Sequence, residues 1–206
     1  MSVDDLLYEL ELNPPEGLSL VRRRQRDKAI ILLSDEALLD AAYSINNLSL
    51  EGEVGGDGLY VGGEILPTPP RLPKKGELTA LGCGACTLGS QLDVRVRELF
   101  AEKRAPLALA LDSLGNELML VLGRHMQFDL LANVRRQGLI LGQQLQFGES
   151  ELDLSTRAAV LRLSGATKIG IKLHRGNLLR PQKSIAAVYA VGRNLPKLSL
   201  SRYRRG

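Results

Sequence analysis

The chain has 206 residues, 44% of them hydrophobic and 24% charged, with a formal charge of +4 and a pI near 9.2. These values are ordinary for a globular domain with one sizeable core, and with aromatics at 4% and no Trp that core must be built from Leu, Val, Ile and Ala. No apolar run is long enough for a membrane span, the start Met1-Ser2-Val3-Asp4-Asp5 is acidic with no apolar leader, and two cysteines do not make a disulfide framework, so a cytoplasmic setting is expected.

Along the chain, a short acidic amphipathic start meets a breaker at Asn13-Pro14-Pro15-Glu16-Gly17. Ala29 to Leu33 is a compact apolar run. Ser34 after it has the character of an N-cap, with Asp35 and Glu36 in a first turn and Leu38, Leu39, Ala42 and Ile45 giving that helix one apolar face. Residues 49–76 are rich in Gly and Pro, with one strand expected near Leu59–Val61. Leu78 to Cys83 reads as a strand. Ser90 and Asp93 form a partial capping box, opening a helix with Leu92, Val96, Leu99 and Phe100 on one side. Pro106 permits a new helix, the longest in the chain. On it Leu107, Leu111, Leu114, Leu118, Val121 and Leu122 make a stripe, with Asp112, Asn116 and His125 off it. A further helix covers about 155–163 and stops at Gly165.

Two strands close the chain. Ile169, Ile171 and Leu173 alternate with Gly170 and Lys172, and Ile185 to Val191 is apolar and β-branched with one Tyr. Between them Pro181 belongs in a loop or at a strand start. The pattern of strand, helices, then strands predicts an α+β fold, a mixed or antiparallel sheet with long helices packed on it. The sheet is expected to contain 78–83, 168–173 and 185–191. The expected organisation is an N-terminal segment 1–58, a main domain 59–195 and a basic tail 196–206.

The stretch Leu179-Arg180-Pro181-Gln182-Lys183-Ser184 running into Tyr189 resembles the C-terminal part of the activation domain of vitamin B12-dependent methionine synthase. The run Ala80 to Gly89, ending Thr87-Leu88-Gly89, is similar to that family's strand ending in a T-x-G turn, and Leu111-Asp112-Ser113-Leu114-Gly115-Asn116-Glu117 to one of its helix starts. The resemblance covers about 59–192. It implies a domain that holds S-adenosylmethionine beside a cobalamin-carrying partner and supports the reductive reactivation or methylation of cobalamin. The chemistry is then the cofactor's, so no catalytic residue is assigned. The implied ligand-binding residues are Thr87 and Gly89 in a turn, Asp112 and Glu117 on the long helix, Gly148 in a loop, and Ser184 and Tyr189 on the last strand. The carboxylates would take the ligand's amine or ribose hydroxyls, and Tyr189 would stack or hydrogen-bond. One departure stands out. The family's loop has an Arg followed four residues later by Gly-Tyr; here Gln144 stands for the Arg, Gly148 is kept and Glu149 stands for the Tyr, so a carboxylate ligand loses its cation and meets an anion.

Two other readings remain. The fold can serve as a non-catalytic interaction module, its basic tail docking an acidic partner. Alternatively Cys83-Gly84-Ala85-Cys86, a C-x-x-C after a strand and before a helix, can carry thiol-redox or metal-thiolate chemistry. His125 and His174 have no neighbouring ligands at metal spacing, and Gly52 to Gly63 lacks a phosphate-loop pattern. Arg22-Arg23-Arg24-Gln25-Arg26 and Arg202-Tyr203-Arg204-Arg205 concentrate the positive charge, either as solvated surface or as a hold for phosphate or an acidic partner. No aromatic platform accompanies them, so nucleic acid is not an expected partner.

Overall fold

A computed structural model describes residues 2–12, 15, 17–51, 58–67, 73–145, 154–175 and 178–198. Helix α1 (Val3–Leu12) opens on a reciprocal cap, the Asp5 amide donating to the Ser2 hydroxyl and the Ser2 amide to the Asp5 carboxylate. Helix α2 (Leu20–Asp35) is capped by Ser19. The apolar run at 29–33 therefore continues α2 rather than preceding a new helix. Arg26, Ala29 and Leu33, at i, i+3 and i+7, are its buried face, and Ser34 lies in its last turn. The helix expected over Leu38, Leu39, Ala42 and Ile45 does not form, and β1 (Ala42–Ser49) takes up the last two. A hairpin of β2 (Leu59–Val61) and β3 (Glu64–Leu66) follows, then the long β4 (Glu77–Thr87). Helix α3 (Gln91–Ala101) starts after Ser90 as expected, but the Ser90 side chain makes no cap bond, and Phe100 is exposed rather than part of the buried face.

Helix α4 (Ala105–Arg136) runs well past the expected stripe that ends at Leu122, and all six residues of that stripe are buried. It is long and apolar enough to cross a membrane, which sequence reading did not expect; half of that stretch is buried inside the protein. Next come β5 (Ile140–Leu145), α5 (Leu154–Leu163) and a 3₁₀ turn at Ala166–Ile169. The strand expected at 168–173 is not in the main sheet. The 3₁₀ turn occupies its start and Gly170 has φ +81°, so only β6 (Lys172–His174) is extended, paired with β7 (Leu178–Arg180) in a separate ribbon. Strand β8 (Ser184–Arg193) closes the described chain.

The fold is α+β, with an antiparallel four-stranded sheet in the order β1-β4-β8-β5. By Cα proximity the chain falls into two compact units, each gathered from three stretches. One unit comprises 44–85, 126–168 and 186–206. In it side-chain alternation sends each strand to two cores. On one face Leu81 and Cys83 of β4, and Val188 and Ala190 of β8, pack with Leu59, Val61 and Leu66 of the hairpin and Ala159 and Leu163 of α5. On the other, Ala80, Ala187, Tyr189 and Val191 pack with Leu130 and Val134 of α4. Gly84 lets that helix come close: a Cβ there would sit 2.8 Å from the Met126 sulfur. The other unit comprises 1–43, 86–125 and 169–185, and holds most of the expected site residues.

Candidate functional site

In this second unit the last residues of β4 and the first of β8 lie side by side, and their side chains build a tightly tied corner. The Leu88 amide donates to the Lys183 carbonyl at 3.0 Å, and the Thr87 hydroxyl donates to the same carbonyl at 3.3 Å. The Thr87 oxygen in turn accepts from the Ser184 hydroxyl at 2.9 Å and from the Gly89 amide at 3.1 Å. Gly89, at φ +81°, turns the chain so closely over Asp40 that a Cβ would lie 2.7 Å from the Asp40 Cβ. From the opposite side the Asp93 carboxylate, in the first turn of α3, accepts from the Gln182 amide at 2.6 Å. The expected capping box thus spends its acid on the corner rather than on its own helix.

Lys183 completes the clamp. Its side chain is only 11% exposed, and its ammonium meets Asp112 Oδ1 and Asn116 Oδ1, each at 2.7 Å. Asp112, Gly115 and Asn116 sit at i, i+3 and i+4, one face of α4. Gly115 is the floor over which the lysine stem passes: a Cβ there would lie 3.0 Å from Lys183 Cε and 2.8 Å from Leu92 Cδ2. As ligand-binding residues the sequence named Asp112 and Ser184, while Lys183, Gly115, Asn116 and Asp93 stood there only within motifs. The D-x-x-G-N spacing was the available signal for two of them, Gly115 and Asn116.

The expected site residues divide. Thr87, Gly89, Asp112 and Ser184 come together in the corner. Glu117 lies on a different side of α4, where it meets Arg26 of α2 at 2.8 Å with both side chains largely buried. Tyr189 belongs to the other unit, is 2% exposed, and its hydroxyl accepts from Gln127 Nε2 at 2.7 Å, so it is a core residue there rather than a stacking surface. Gly148 and Glu149 lie outside the described residues. Gln144 is not in a loop: it is an exposed residue of β5, paired in register with Tyr189 after an irregularity that begins at Leu141. In the corner Asp112 has a side chain 44% exposed, with Oδ1 on Lys183, and Asp40 beside Gly89 is exposed as well.

The thiol reading fails on geometry. Cys83 and Cys86 are free, buried, and three residues apart on one continuous strand, so they point to opposite faces with Cα atoms about 10 Å apart, beyond disulfide reach. Burial pushes both thiols up from 9.0 to about 12, the reverse of what a nucleophilic or metal-binding thiolate needs. Among the described residues no group of three metal-type side chains gathers. His125 is taken by Glu9 at 2.7 Å, and His174 is exposed on β6.

No protein-family model and no curated protein matches the chain. Among solved structures it is similar in fold to the MetH reactivation domain, crystallised bound to AdoHcy. The two are 16% identical, the likeness covers 93% of this chain and 70% of that one, and the TM-score is 0.51.

Proposed function

We propose that the protein is an S-adenosyl-ligand-binding domain of the methionine synthase reactivation fold, working beside a cobalamin-carrying partner in reactivation or methylation of cobalamin in the cytoplasm. The observation that carries the proposal is the fold likeness over nearly the whole chain to a domain that holds AdoHcy. Of the residues present, Asp112 fits an S-adenosyl ligand best, because its half-exposed carboxylate can accept from the ligand's ammonium. The turn at Thr87-Leu88-Gly89 beside it has its backbone fixed in advance, which lowers the entropic cost of binding. Glu117, engaged by Arg26, and Tyr189, buried in the other unit, fit less well. The sulfonium carbon of S-adenosylmethionine would supply the methyl group; the protein's part is to position it and exclude water.

Titration calorimetry with S-adenosylmethionine and S-adenosylhomocysteine tests this. Wild type should bind, and Asp112→Ala should abolish binding. If wild type binds neither ligand, the reading is wrong.

A second reading, a non-catalytic interaction module, is favoured by one observation. Thr87, Ser184, Glu117 and Tyr189 all spend their polar atoms on partners inside the protein. On that reading no S-adenosyl ligand binds, while a cobalamin-carrying protein co-purifies with the chain.

A further inference from the structure

The inner and outer faces of α2 are built for different purposes. Inward, Arg26, Ala29 and Leu33 are buried, and Arg26 is fixed by Glu117. Outward, the helix turns Leu20, Arg23, Arg24, Asp27, Lys28 and Ile31 to the surface. Leu20 is 74% exposed, the adjoining Val21 68% and Ile31 59%. Leu20 and Ile31 are eleven positions apart, three turns of helix, so they lie on one line about 16 Å long, with Asp27 on the line between them and Arg24 and Lys28 beside it. Among the described residues no ion pair engages Arg22, Arg23, Arg24 or Lys28, although Arg95, Arg104 and Arg162 all find carboxylates. The cations are also placed against the fold's own interest. The first turn of α2 holds no acidic residue, and arginines stand where the helix dipole favours negative charge. Neither the exposed aliphatics nor the arginines contribute to holding α2 in place; the buried face already does that.

We propose that the outer face of α2 is a docking surface for an acidic protein partner, one that presents an apolar strip bordered by carboxylates. The chemistry selects that class over two others. A nucleic acid would meet aliphatic side chains at the ends of the face, Asp27 between them, and no aromatic on which to stack a base. An anionic membrane would find no Trp or Tyr among the exposed residues of the face to sit at the headgroups. An arginine-rimmed aliphatic strip is the usual make-up of a protein–protein patch, in which Arg is enriched and a few central residues carry the affinity. The surface is independent of the S-adenosyl-ligand reading and stands or falls without it.

The test uses the full chain and a fluorescent helical peptide with a leucine stripe bordered by glutamates. Its controls are the same stripe bordered by lysines, a mixed-sequence DNA duplex, and vesicles of phosphatidylserine in phosphatidylcholine. Anisotropy should show binding of the acidic peptide that weakens as salt shortens the screening length. The triple variant Arg23→Glu, Arg24→Glu, Lys28→Glu and the double variant Leu20→Ser, Ile31→Ser should each weaken it about tenfold or more. All these side chains are exposed, so both variants should keep the wild-type circular dichroism, and S-adenosyl-ligand titrations should be unchanged. The proposal is overturned if the acidic peptide does not bind, if the variants bind it as wild type does, or if the duplex or the vesicles bind more tightly through the same residues.

Discussion

Replacing Lys183 by Met keeps most of the stem that crosses Gly115 and removes only the ammonium, so it isolates the charge of the clamp. The group lost makes two charge-assisted bonds at 2.7 Å, to Asp112 and to Asn116, and is itself nearly buried. A hydrogen bond to a charged group is worth about 1.5–3 kcal/mol. The full value for two bonds does not apply, because Asp112 is 44% exposed, Asn116 is exposed, and both regain water when the lysine leaves. The variant also avoids the cost of burying an ammonium. The expected loss is therefore about 1–2 kcal/mol, a fall in melting temperature of roughly 2–8 °C for a chain of this size. Lys183→Ala, which also removes the stem and leaves a gap over Gly115, should lose about 1–2 kcal/mol more. Urea unfolding gives the stabilities, and hydrogen exchange at the Leu88 and Gln182 amides reports whether the corner itself loosens. If Lys183→Met unfolds at the wild-type midpoint with unchanged exchange at both amides, the clamp does not hold the corner and the reasoning is refuted.

Three further outcomes follow from the same geometry. The folded-state values of Cys83 and Cys86 are raised to about 12, so stability should be unaffected by these thiols below about pH 8.5–9 and fall as pH rises from there toward 12, by up to about 1.4 kcal/mol per pH unit for each thiol. Double replacement by Ala should flatten that alkaline fall in urea titrations, and the native thiols should resist a thiol reagent at pH 8 until the protein is unfolded. Leu114→Ala, at a fully buried position of α4, should cost about 2–5 kcal/mol, and a wild-type melting curve would show that the stripe is drawn on the wrong face. Tyr189→Phe takes away the acceptor of the buried Gln127 amide, whose Oε1 already lacks a partner among the described residues, and should cost about 1–3 kcal/mol by denaturant unfolding.

What the sequence shows clearly is what a single period encodes. The stripe from Leu107 to Leu122 is unbroken at 3.6 residues, and the apolar run at 185–191 has the texture of a strand buried on both faces, which it is from Ala187 to Val191, while Ile185 is exposed. The errors sit where two periods share residues. Ala29 to Leu33 suits either the end of one helix or the lead into another, and only burial of Arg26 three residues earlier decides it. The alternation at 169–173 imitates a strand, but Gly170 at φ +81° cannot continue one. Strand β5 was hidden because it ends the sheet order, where exposed polar residues such as Gln143 and Gln144 are tolerated. The Gly62-Gly63 pair between β2 and β3, both at positive φ, was a hairpin signal that went unread. The corner is legible only in halves. The T-x-G turn and the P-x-K-S stretch each stand out, but their junction is a bond between hydroxyls 97 residues apart, set by strand pairing and by no local rule.

Asp112 is the point at which stability and ligand binding pull in opposite directions. In the free protein its Oδ1 is shared with Lys183. A ligand ammonium arriving at the same carboxylate meets a cation already in place, and like charges a few ångströms apart near a surface repel by a few kcal/mol before solvent discounts it. Lys183→Met, which weakens the fold, should therefore tighten binding of a ligand that carries an ammonium, by about three- to tenfold as read by calorimetry with S-adenosylmethionine. Asp112→Asn should weaken the fold and the binding together. The two signs separate a ligand contact from a merely structural ion pair, because a structural role predicts loss of binding, if anything, in both variants. Equal loss of affinity in Lys183→Met and Asp112→Asn would place Asp112 in the clamp alone and move the ligand's amine elsewhere.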